Sequence, residues 1–155
     1  MSTRTIAVDF DGVIHQYSQG WQDGTIYDPP MPGAAEGLLA LMNQYAVFIH
    51  TTRESKPVAH WVAERLRIPT AYETRCPHEN DGDVIAIEAW SKNQGAIYKC
   101  GLPVFWNDTS RILVTNRKLP AVAYVDDRAY PFTNWRLAMA TLLTPAVPET
   151  GVDAP

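Results

Sequence analysis

Two carboxylates stand one residue apart at the end of an apolar run, Ile6-Ala7-Val8-Asp9-Phe10-Asp11-Gly12-Val13. In an extended chain the side chains at i and i+2 point the same way, which would set Asp9 and Asp11 about 7 Å apart on one side. Like charges at that spacing raise each other's cost of ionising. The pair therefore calls for a positive partner, unless it merely closes a turn through an Asx-type side-chain bond. Other polar residues gather at the ends of later apolar runs: Thr51-Thr52-Arg53 after residues 46–50, and Asp126-Asp127 after residues 121–125. For the second acidic pair the competing reading is a helix cap or a solvated loop.

The elements that must position these groups are legible in the hydrophobic pattern. Residues 5–10 read as a buried strand, and Gly12 frees the backbone for a sharp turn. Residues 14–32 are turn-rich and aromatic, with Tyr17, Trp21, Tyr27 and Pro29-Pro30, and read as a loop or short hairpin. Leu38, Leu41, Met42 and Tyr45 fall on one face of a helix over residues 33–45. Residues 46–50 form a second strand. Ser55 is the expected N-cap of a helix whose inward stripe is Val58, Trp61, Val62 and Leu66. Residues 68–82 show no clear period and read as irregular. Residues 83–100 read as a third helix closed by Gly101, and two short apolar runs follow at 102–106 and 111–115. Residues 121–125 form a further strand, and residues 135–143 a short helix. Strands alternating with helices predict an α/β domain, a three-layer Rossmann-like parallel sheet with helices on both faces. Ligands of such sheets bind beyond the carboxyl ends of the strands, where strand order reverses, and the polar residues are gathered at those ends.

At 155 residues the chain has room for one sizeable core. The expected layout is a single domain over 1–144, with 14–32 as a flap loop and 145–155 as a loose tail. A net charge of −4 and no Lys/Arg stripe argue against an extended nucleic-acid surface, while leaving room for a small phosphorylated ligand. Two cysteines without a CxxC pair suit a reducing compartment. With no apolar leader and no long apolar run, the expectation is a soluble cytoplasmic protein without a membrane partner.

DFDGV at Asp9–Val13, the strand ending VFIHTTR, and KLPAVAYVDDRA at Lys118–Ala129 stand in the order and context of the motifs of haloacid dehalogenase-like hydrolases, and the chain resembles that family. It is more loosely similar to small capless members of actinobacterial and phage type. The match spans about residues 5–132, although between 68 and 113 it is only architectural. The resemblance implies a Mg²⁺-dependent phosphatase working through an aspartyl-phosphate. Carried over residue by residue, Asp9 is the nucleophile, and Asp11 is the general acid and base whose backbone carbonyl also binds metal. Asp126 is a metal ligand, and Asp127 is a second ligand or an outer partner. Thr51, with Thr52 as the fallback, bonds the phosphoryl group, and Lys118 neutralises its charge. A cation would also be the positive partner that lets clustered acids coexist.

The first cap position of the family holds only the 14–32 loop here, and core helices and a strand take up most of the 66 residues between Thr51 and Lys118. This implies a core without a large cap and an open site. Tyr17, Trp21 and Tyr27 could stack a base or simply anchor the flap to the core. The first reading makes a nucleotide or nucleic-acid end the preferred substrate. Arg53 and Arg128 could touch phosphate or pair with a local carboxylate. Cys76 and His78 lack a second pair at zinc-site spacing, and His15, His50 and His60 read as packing or surface residues. The rival reading is a non-catalytic phosphoacceptor or binding module on the same fold. Receiver domains also combine Asp, Thr and Lys, but there the acidic pair precedes the acceptor; here the adjacent pair comes last.

Overall fold

A computed structural model describes residues 3–75, 85–91, 95–100 and 104–143. Cys76, His78 and the 145–155 tail lie outside the described residues. Seven strands form one sheet in the order β5-β4-β3-β6-β2-β1-β7. They are β1 (Thr5–Asp9), β2 (Ala46–His50), β3 (Thr70–Arg75), β4 (Ile85–Ser91), β5 (Gly95–Cys100), β6 (Ile112–Thr115) and β7 (Ala123–Val125), with helices α1 (Ala34–Met42), α2 (Ser55–Leu66) and α3 (Trp135–Leu142). The five strands β3-β6-β2-β1-β7 are parallel, as expected of a Rossmann-like α/β arrangement. Among the described residues no helix is long and apolar enough to cross a membrane.

Alternation along β1 and β2 divides the core. Ile6, Val8, Val47 and Ile49 share one buried cluster with Leu38 of α1 and Val58, Ala59, Val62 and Leu66 of α2. Ala7, Ala46 and Phe48 point the opposite way and pack with Leu113, Trp106 and Leu119. Burying a side chain such as Phe48 contributes about 2–3 kcal/mol. These two apolar faces fix the register of β1 and β2, because a one-residue slip would exchange them. The order of the strands puts the reversal at β1. The chain leaves β1 toward β2 on one side and returns much later as β7 on the other.

Three expectations are corrected. Of the helix expected over 83–100, the described residues 85–91 and 95–100 are strands instead: β4 and β5 pair antiparallel with each other, and β4 pairs antiparallel with β3. The segment Ile85-Ala86-Ile87-Glu88-Ala89-Trp90 carries β-branched and aromatic residues suited to a pleated surface, and its helical period was the weaker signal. Gly101, expected to close that helix, lies outside the described residues. Residues 70–75, read as irregular, form β3. It is bonded by β6 on one side and β4 on the other, a tertiary pairing that no local period announces. Ser55 is not a cap but the first residue of α2; Glu54 holds the cap position without a side-chain bond.

Candidate active site

The carboxyl ends of three adjacent strands meet at one level, since Asp9 of β1 stands beside His50 of β2, and Val8 beside Val125 of β7. The residues that follow each end therefore emerge together: Phe10-Asp11, Thr51 and Asp126-Asp127. Oxygen atoms of Asp9, Asp126 and Asp127 lie within 4.8 Å of one another. An all-carboxylate set of this spacing can hold a hard divalent cation. Among the described residues, the cation paired with this cluster is Arg128, whose Nε is 4.0 Å from Asp127 Oδ2 on an exposed side chain.

Asp11 departs from the simple i, i+2 picture, because the strand ends at Asp9. The Phe10 carbonyl accepts from the amides of Val13, Ile14 and His15, and Gly12 adopts φ +82°, so the chain folds back at once. Phe10 is wholly buried, with its ring 5.3 Å edge-on to Trp61 and 5.5 Å from the His15 ring. This aromatic between the two acids anchors the turn. The Asp11 carboxylate is separate from the three-acid cluster: Oδ1 is 2.8 Å from His15 Nδ1, and Oδ2 accepts from Arg53 Nε at 2.7 Å. The positive partner that the opening acids called for is thus divided. Asp11 has Arg53, whereas Asp9 shares its place with two more acids.

Gly12 makes that place possible. A Cβ there would stand 2.3 Å from Asp127 Oδ2 and 2.8 Å from its Cγ, so glycine lets the Asp127 carboxylate keep this position over the β1 turn.

Burial raises the Asp9 carboxyl above its ordinary value, a bond from the Phe10 amide opposes this, and the charges of Asp126, Asp127 and Asp11 raise it further. The folded protein therefore keeps the Asp9 proton to higher pH than the unfolded chain. Stability linked to this group is complete below the ordinary value of 3.8 and declines as pH rises through the folded value. In cation-free buffer at neutral pH, Asp9→Asn is accordingly expected to be more stable than the wild type. The Asn side-chain oxygen can still accept from Phe10. Urea midpoints against pH check this: the advantage should vanish below about pH 3.8, and a variant less stable at neutral pH would contradict it.

Thr51 is buried and follows β2 directly. Its Oγ1 accepts from the Arg53 amide at 3.1 Å, which leaves the hydroxyl proton free to be donated elsewhere. Thr52, the fallback, is exposed. Lys118 is exposed on the loop before β7, with Nζ 5.4 Å from the centre of the Tyr124 ring, and among the described residues it forms no ion pair.

Sequence reasoning underrated three residues. His15, read as packing or surface, is fully buried and bridges Asp11 to the flap by accepting from the Asp28 amide at Nε2. Arg53, left open, is bound to Asp11. Asn116, after β6, donates 2.7 Å bonds to the carbonyls of both Thr51 and Arg53. A lone His, Arg or Asn carries no local signal; only the DxDG turn and its position beside β2 could have hinted at the Arg53 pairing. Tyr17 and Tyr27 stack at 6.4 Å beside His15, and the Tyr27 hydroxyl donates to Gly20 O, so both anchor the flap. Trp21 remains exposed. Comparison with family models, curated proteins and solved structures finds no match, so the chemistry of this site is argued from its own residues.

Proposed function

We propose that the chain is a Mg²⁺-dependent phosphatase of the haloacid dehalogenase-like type, hydrolysing a small phosphomonoester through an aspartyl-phosphate. The observation that carries this reading is the division of the acids. Asp9, Asp126 and Asp127 converge within 4.8 Å, while Asp11, two residues from Asp9, is kept apart by Arg53 and His15. A nucleophile beside metal-ligand carboxylates, with a separate acid and base, is the set that phosphoryl transfer through a carboxylate needs.

In this mechanism an Asp9 oxygen bonds to phosphorus as the ester oxygen leaves, taking a proton from Asp11. Asp11 then accepts a proton from the water that attacks the aspartyl-phosphate, and Asp9 is regenerated. Thr51 donates its hydroxyl to the phosphoryl oxygens, and Lys118 supplies charge neutralisation. Asp9, Asp126 and Asp127, with the Asp11 carbonyl, would hold Mg²⁺, which offsets repulsion between carboxylate and phosphate when bound. A nucleotide is the preferred substrate class, because exposed Trp21 offers a stacking face beside the site.

The test is phosphate release from an aryl phosphate and a panel of nucleoside monophosphates. Turnover is expected with Mg²⁺, lost with a chelator and restored by added Mg²⁺. Label that stays on the protein without release would favour a phosphoacceptor, and no reaction with any substrate would favour a binding module.

A further inference from the structure

Arg53 is held from every side. Its amide donates to Thr51 Oγ1, its carbonyl accepts from Asn116, its Nε donates to Asp11 Oδ2 and its Nη1 donates to Gly24 O in the flap at 2.8 Å. The guanidinium carbon lies 5.1 Å from the centre of the Trp21 ring and 5.8 Å from that of Tyr17. Yet Nη2 is buried without a hydrogen-bond partner, on a side chain only 6% exposed. A buried guanidinium with one terminal nitrogen unmet is a weak stabilising device, since burying a charge is costly unless its donors are met.

The second hold on Asp11 is equally specific. His15 Nε2 accepts from the Asp28 amide, so the ring proton sits on Nδ1 and is donated to Asp11 Oδ1. Both carboxylate oxygens are thereby fixed, one by the end of β2 and one by the turn after β1.

We infer that Arg53 is a positioning residue: it aims the Asp11 carboxyl at the leaving oxygen and ties that aim to the flap through Gly24. The inference rests on the phosphatase reading of the site. Its consequence depends on the leaving group. An alkoxide needs the proton from Asp11 as its bond to phosphorus breaks, whereas an activated phenolate leaves without one. Losing the aim of Asp11 should therefore penalise alkyl esters and largely spare activated aryl esters.

The experiment measures kcat of wild type, Arg53→Gln and Arg53→Lys on an alkyl phosphate and on 2,4-dinitrophenyl phosphate. The ratio of the two rates in one sample does not depend on the fraction folded. For Arg53→Gln the alkyl-to-aryl ratio is expected to fall by about 100-fold, the lower end of what general acid catalysis supplies. Arg53→Lys keeps a charge for Asp11 but cannot also reach Gly24 with a rigid fork, and its ratio should lie between the other two. It also serves if the Gln variant does not fold. An unchanged or increased ratio would overturn the inference and leave Arg53 a structural residue, with the phosphatase reading intact. A wild type silent on both esters would end that reading and this inference with it.

Discussion

Replacing Asp9 with asparagine is expected to lower phosphate release by about 10⁴-fold or more, the scale seen when a covalent nucleophile is removed. The substitution is nearly isosteric, and its oxygen can still accept the bond that Asp9 Oδ1 takes from the Phe10 amide at 2.8 Å. What disappears is the anionic oxygen that would attack phosphorus in the proposed mechanism, and one of the three carboxylates clustered at the strand ends. Because the same change relieves a half-buried, repelled charge, the variant should unfold no more easily than the wild type in cation-free buffer. Loss of activity in a protein that is at least as stable cannot be ascribed to misfolding. Release kept within about tenfold of wild type would remove Asp9 from the mechanism.

Gly12→Ala is expected to damage both stability and the acidic cluster. A non-glycine residue at φ +82° pays about 1–2 kcal/mol in backbone strain. The added carbon meets Asp127 Oδ2 at 2.3 Å, so the Asp127 carboxylate must swing aside, which costs little in packing because that side chain is exposed but takes it out of its place in the cluster. The strain should lower the melting temperature by about 3–8 °C for a domain of this size. Moving Asp127 should also weaken divalent-cation binding, measured by calorimetry, by about tenfold or more. Gly33 supplies the control, since it has the same φ of +82° but nothing within 4 Å of an added Cβ. Gly33→Ala should show only the strain, with cation binding unchanged. If Gly12→Ala binds cations as the wild type does, the close approach of Asp127 is not what glycine preserves.

The legible parts of the fold were those whose signal is local. The run Ala46-Val47-Phe48-Ile49 is apolar throughout because β2 lies inside the sheet, between β1 and β6, and is buried on both faces, and the strand follows directly from that run. The stripe of α2 was equally clear, with Val58, Val62 and Leu66 buried. Residues 70–75, 85–91 and 95–100 were not legible, because their strand character comes from pairing with one another and with β6. The same division holds at the site. Asp9, Thr51 and Asp126-Asp127 announce themselves by standing at strand ends. The hold on Asp11 comes from Arg53, 42 positions away, and from His15, which reads as an ordinary histidine until the turn closes.

The three clustered carboxylates come from nearly opposite ends of the described chain, and a short splice joins them. Strand β7 pairs with β1 through Ala123, Tyr124 and Val125, extended by a bond from the Val122 amide to the Thr5 carbonyl, and stands at the margin of the sheet. Local opening of such an element costs far less than global unfolding, and mutual repulsion of Asp9, Asp126 and Asp127 pushes in the same direction. A cation bridging them would act as a removable clasp on a loop of more than a hundred residues, stabilising the closed state by mass action. Metal availability would then set how often the last strand detaches, making the margin of the sheet a reporter of the ionic conditions around it.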